Sequence, residues 1–212
     1  MGAIDIHAHV VLEEAFGTAG SYGPELSEDE RGVPFFRMGG YTMKPMPYRG
    51  SVFMDHEKRI AKLEADDIEL QMLSPNPLTM FHGIDPRDAV NFCRVHNDAM
   101  AELVGKYPER LLGSAALPMQ DLDAAHRELD RAITELGLVA PYLGTDLGYT
   151  LDDPRLDDFY RHLIELDVPL FLHPASTDGV GVPPPRLRRF DLGIIMGYSH
   201  EETLAVSELI LG

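Results

Sequence analysis

A chain of 212 residues can bury one sizeable hydrophobic core, and nothing in its composition marks disorder or a fibrous repeat. A formal net charge of −17 sets it against nucleic acid and anionic membrane surfaces as partners. Its one cysteine, Cys93, excludes a disulfide framework and a cysteine-rich metal site, which leaves histidines and carboxylates to hold any metal.

The start of the chain carries neither a basic segment followed by an apolar one nor a twenty-residue apolar span, so a cytoplasmic protein is expected. The first predicted strand covers residues 3–9. Strand alternation puts Asp5, His7 and His9 on one face and Ile4, Ile6 and Ala8 on the other. Two imidazoles two residues apart can grip one ion; the plainer alternative is one histidine satisfied in the core and the other in solvent. Residues 14–52 are rich in Gly, Pro and Met and have no period, and they read as a long loop inserted over the active site. Arg49 lies in that loop.

Beyond residue 54, short apolar runs alternate with amphipathic helices, the pattern of βαβ units and a parallel sheet. Strands are predicted at 68–74, 111–117, 138–143 and 168–173, with Pro141 removing one ladder hydrogen bond from the third of these. Helices are predicted from Asp85-Pro86, from Asp121 to a stop at Gly137, from Asp153-Pro154, and from a capping-box spacing at Ser199 and Glu202. Within them His96 and His162 read as structural, and His56 and His126 as exposed. His82 and His200 fall near loop ends on the side where a site would be built. Residues 175–189 form a second predicted loop, in which Arg186, Arg188 and Arg189 follow three prolines as an interface or lid patch.

His173 ends its apolar run, and Pro174 stops the strand there. All three histidines, His7, His9 and His173, therefore sit at carboxyl ends of predicted strands. In a parallel barrel that is the end that carries active sites, and three histidines with an open position make a catalytic zinc site.

The Asp-x-His-x-His of the first strand and the Leu-His-Pro at 172–174 resemble the amidohydrolase superfamily, in the branch of carboxymuconate semialdehyde decarboxylase and its relatives. Residues 59–73 and 107–122, with Tyr-Pro-Glu-Arg leading to Ala-Leu-Pro-Met-Gln-Asp, are similar to the same branch. The resemblance implies a (β/α)₈ TIM barrel of which this chain carries about the first five βα units, in a homo-oligomer. It implies one divalent metal, most often zinc, on His7, His9 and His173, with a small carboxylate as substrate. The superfamily's two-metal members carry a lysine on the fourth strand, and residues 138–143 have none. The family pattern continues with a histidine on the sixth strand and a metal-binding aspartate on the eighth, so the catalytic acid/base group is expected beyond Gly212. Arg49, His82 and His200 are the candidate substrate contacts, and Asp5 a group behind the metal. The expected activity is decarboxylation of an aromatic or muconate-type acid; the alternatives are hydrolysis of an amide, lactone or imine, and a truncated paralogue that binds metal without turnover.

Overall fold

A computed structural model describes residues 2–174, 190 and 192–212. The predicted patch at Arg186, Arg188 and Arg189 lies outside these residues. The main sheet is parallel and five-stranded, with β1 (Ala3–Val10), β5 (Ile68–Pro75), β6 (Leu111–Ala115), β7 (Ala140–Gly144) and β8 (Phe171–His173) side by side in that order. Each strand is followed by helix: α1 (His56–Ala65), α2 (Pro86–Lys106), α3 (Leu122–Thr134), α4 (Asp157–Leu166) and α5 (Tyr198–Leu211). This is an α/β half-barrel, as the alternation in the sequence requires.

The helix starts follow from their caps. Asp55, Asp85 and Asp121 each turn a carboxylate back onto a first-turn amide, of Lys58, Arg87 and Ala124 respectively. Asp153 does the same for Arg155, but the turn it opens is a 3₁₀ turn, Pro154–Leu156, that runs on into α4. The capping box at Ser199 and Glu202 is not used, because α5 emerges without a side-chain cap from a π-helical turn, Gly193–Gly197, and Ser199 already lies inside it.

The core forms where helix stripes meet the strands. Met100 and Leu103 of α2, Leu129 of α3 and Phe159 and Leu163 of α4 close over Leu73, Leu111 and Leu143. The helix layer is tight: a Cβ at Gly113 of β6 would stand 2.7 Å from Met100 Cγ, so only glycine lets α2 come so close. Pro141 does lie within a strand, paired in register with Ala115.

The predicted loop at 14–52 is an ordered subdomain. It carries an antiparallel sheet of β2 (Glu25–Glu28), β3 (Pro34–Met38) and β4 (Tyr41–Met43). Phe36 is fully buried and meets Tyr48 edge-on at 5.2 Å, while Leu26 and Met38 pack with Phe92 and Cys93 of α2. Strands of three to five residues are too short to show alternation above a Gly- and Pro-rich background, which is why the sequence reads as a loop here.

Two surfaces of the chain are apolar and open. Ile4 and Ile6 of β1, at one edge of the sheet, are each 61% exposed. Along α5, Val206, Leu209, Ile210 and Leu211 face solvent while Ala205 is buried. None of the described helices is long and apolar enough to cross a membrane.

Candidate metal centre

His7 and His9 of β1 reach one site because the strand is irregular. Asp5 pairs with Gln71 and Ala8 with Leu73, so Ile6 and His7 stand opposite Met72 alone, which is a β-bulge. Strict alternation, which would keep Asp5, His7 and His9 on a common face, therefore fails at this point. Asp5 instead bonds to Gln71 and through it to Arg59 of α1, while His7 and His9 turn their rings to each other. β7 holds the backbone of the third histidine: Gly144 pairs with His173, whose carbonyl accepts from the Thr145 amide at 3.0 Å.

The three rings form a cluster with centroids 4.9 Å (His7–His9), 5.4 Å (His7–His173) and 5.1 Å (His9–His173) apart, and each can offer a nitrogen within 4.8 Å of the others. His7 Nε2 and His9 Nε2 are 3.1 Å apart. Hydrogen bonding fixes the tautomers. Ser74 Oγ donates to the Ala8 carbonyl at 3.2 Å and so accepts from His9 Nδ1 at 2.9 Å. His173 Nδ1 donates to the Pro174 carbonyl at 3.1 Å. Both imidazoles thus hold a proton at Nδ1 and present a bare Nε2 to the cluster. Burial, with the neighbouring imidazoles, lowers the pKa of His9 to about 4, and burial lowers that of His173 to about 4 as well, so both are neutral at pH 7. Neutral, oriented nitrogens converging on a point suit a divalent ion of the zinc or manganese class. Among the described residues this is the one group of three or more potential ligands that converges in this way.

Tyr142 of β7 walls the site, its ring 6.2 Å from His9 and 5.8 Å from His173. Burial raises the pKa of its hydroxyl well above the usual tyrosine value, with Ser74 opposing the shift. Sequence reasoning missed Tyr142 and Ser74, and nothing in their local pattern distinguishes them from other strand residues.

The remaining sequence candidates fall elsewhere. His82 is buried, its Nε2 accepting the Gly144 amide at 3.1 Å, so this nitrogen anchors the end of β7 instead of facing solvent. Its pKa falls to about 4 through burial. His200 is exposed in the first turn of α5, not at a loop end. Arg49 is exposed and paired with Glu13 at 2.9 Å, just beyond the carboxyl end of β1. His126, expected in solvent, is half-buried and stacks on His162 with Nδ1 atoms 2.8 Å apart, and His162 Nε2 meets Asp130 at 2.8 Å.

Comparison with known proteins agrees with this geometry. The amidohydrolase family profile matches residues 4–211. The chain is similar to a 2-amino-3-carboxymuconate-6-semialdehyde decarboxylase of Dictyostelium discoideum, 30% identical over 218 aligned positions that cover 99% of this chain and 58% of that protein. It is 36% identical over 176 positions to a gamma-resorcylate decarboxylase of Rhizobium sp. strain MTP-10005, covering 79% of this chain and 50% of the relative. A dihydroxybenzoic acid decarboxylase from Polaromonas sp. JS666, solved with manganese and the inhibitor 2-nitroresorcinol, superposes with a TM-score of 0.70 at 26% identity, over 98% of this chain and 60% of that one. The chain thus spans between 50% and 60% of the length of these three proteins. Fold, histidine cluster and sequence likeness agree: the chain belongs to the amidohydrolase family.

Proposed function

We propose that the chain supplies the three-histidine part of a divalent-metal centre in a decarboxylase of small aromatic or muconate-type carboxylic acids. The observation that carries this reading is the convergence of imidazole nitrogens from His7, His9 and His173, with the Nδ1 protons of His9 and His173 fixed behind them. The relatives' activities set the reaction class, since the proteins named above are decarboxylases of such acids. On this reading the five parallel strands are the first five of an eight-stranded barrel, and residues 14–52 cover its mouth. The ion is zinc or manganese: three nitrogen donors suit zinc, and the Polaromonas relative carries manganese.

A divalent ion held there supplies the positive charge that offsets a substrate carboxylate and the electron density left when carbon dioxide departs. The chain's own residues do the rest of what can be derived. Ser74 and the Pro174 carbonyl hold His9 and His173 in one tautomer, so no proton competes for their Nε2 atoms. Tyr142 sets an aromatic ring beside His9 and His173. The net charge of −17 repels an anionic substrate at long range, so close positive groups must do the attracting. Arg49 fits that role by exchanging Glu13 for a substrate carboxylate.

Elemental analysis after dialysis against zinc or manganese should give one equivalent per chain, lost in His7→Ala and His173→Ala and kept in His96→Ala. Unchanged metal content in the first two variants removes the assignment. The reaction class is read separately. Carbon dioxide release from 2,6-dihydroxybenzoate supports decarboxylation; turnover of an amide or lactone without carbon dioxide overturns it.

A further inference from the structure

The bulge in β1 creates a specific need. With one extra residue opposite Met72, a backbone group of the bulged segment loses its ladder partner, and the strand loses the regular pairing that would set its register. The need is met by side chains. Asp5 Oδ1 accepts the amide of His7 at 3.0 Å. Asp5 Oδ2 accepts from Gln71 Nε2 at 2.7 Å, Gln71 Oε1 accepts from Arg59 Nη1 at 2.7 Å, and Arg59 Nη2 donates to the His9 carbonyl at 2.7 Å. The path begins on the N–H of one metal-site histidine and ends on the C=O of the other.

The chemistry of this path allows one orientation. A carboxylate only accepts and a guanidinium only donates, so the Gln71 amide between them cannot be reversed without opposing like groups at both ends. Arg59 is 5% exposed, and burial lowers its pKa to about 10, which leaves it a cation at neutral pH. The nearest compensating charge is Asp5, one glutamine away. Burying such a charge is a poor way to stabilise a fold, because an apolar side chain of similar volume would serve as well or better. What an apolar residue could not do is hold the His9 carbonyl and, through Gln71, orient Asp5.

We propose that Arg59, Gln71 and Asp5 form a brace that sets the bulge and thereby fixes the spacing and aim of His7 and His9. They are positioning residues: none touches the ion or substrate. The proposal rests on the three-histidine reading of the site. Without the bulge, period-two alternation would carry Asp5, His7 and His9 to a common face, and either the carboxylate would enter the site or both imidazoles would leave it. The brace holds the His7 amide and the His9 carbonyl, whereas Ser74 holds the His9 ring and the Ala8 carbonyl.

The test uses Arg59→Met, Arg59→Lys and Asp5→Asn, with His173→Ala as control. Zinc and manganese affinity is measured by chelator competition, and hydrogen exchange of the segment 3–10 is measured in metal-free protein. Arg59→Met and Asp5→Asn should each weaken metal binding about tenfold or more and speed exchange in that segment. Arg59→Lys, which keeps one bond to the His9 carbonyl, should fall between. His173→Ala should lose the metal and leave exchange in the segment unchanged. If Arg59→Met fails to fold, Asp5→Asn decides, since its side chain is only half-buried. Wild-type affinity and wild-type exchange in Asp5→Asn overturn the brace. A wild-type protein that takes up no ion overturns the metal reading instead, and exchange in the metal-free variants still decides the brace.

Discussion

The Nδ1 proton of His9 is committed to Ser74 Oγ at 2.9 Å, and Ser74 in turn donates to the carbonyl of Ala8, the residue beside His9. The ring's tautomer is thereby fixed by its own strand and the next. Ser74→Ala removes the acceptor and frees His9 to place its proton on Nε2. Metal affinity should fall roughly tenfold or more, with His7 and His173 still in place. The check is a zinc titration of the variant beside wild type; an unchanged dissociation constant means the tautomer is set some other way.

Arg49→Ala tests the substrate side. Arg49 and Glu13 form an exposed pair, with side chains 60% and 62% accessible, so its loss should leave the melting temperature nearly unchanged. Metal content should also stay the same. If Arg49 meets the substrate carboxylate, kcat/KM for an acidic substrate falls well beyond twofold, mostly through KM. A change within about twofold, roughly 0.4 kcal/mol, makes it a surface charge only.

Acid should unfold the protein through its buried histidines. Burial lowers both His82 and His96 to about 4, whereas an unfolded histidine titrates near 6.5. Below pH 6.5 the unfolded chain takes up protons that the native one refuses, so stability is full above that pH and declines toward pH 4. Each site costs up to about 3 kcal/mol across the window. Urea midpoints at pH 7, 5.5 and 4.5 should fall in that order, and His96→Gln should flatten the slope by about one proton. A midpoint independent of pH in this range contradicts the assignment.

The apolar surface of α5 makes a prediction about association. Ile210 and Leu211 are 73% and 83% exposed, and Ile4 and Ile6 add a second apolar patch. Patches of this kind bind other apolar surfaces. The 212-residue chain alone should bind an apolar dye and self-associate as its concentration rises. Replacing Leu209, Ile210 and Leu211 with glutamine should reduce both, as read by light scattering and dye fluorescence. A monodisperse wild-type monomer that ignores the dye would contradict this.

The parts of the fold that could be read from sequence are those that repeat a period long enough to be seen. Asp85-Pro86 and the stripe from Ala89 to Leu103 predict α2 because a cap is followed by about four turns of helical period. Strands 68–74 and 111–117 emerge within two residues of their observed ends because each is a short, largely apolar run between helical patterns. The small sheet from Glu25 to Met43 was hidden because its core is shared with α2, which lies far off in sequence. The candidate metal centre was legible in its residue types, not in its geometry. His7, His9 and His173 stand out as residues, but a one-residue bulge leaves no local mark, and alternation misplaced Asp5 for that reason. The position of His82 near a loop end says nothing of the Gly144 amide that its Nε2 accepts.

The subdomain at residues 14–52 leaves and re-enters the barrel at adjacent points, since the amide of Val11 bonds the carbonyl of Phe53 at 3.0 Å. Such an insertion can be exchanged as a cassette: removing it does not require the end of β1 and the start of α1 to move apart. The exchange is not free of conditions, because Leu26, Phe36 and Met38 share a core with Ala89, Phe92 and Cys93 of α2. A donor segment from another family member would have to bring its own matching face of that helix. Recombined in that way, the small sheet could be altered while His7, His9 and His173 keep their places.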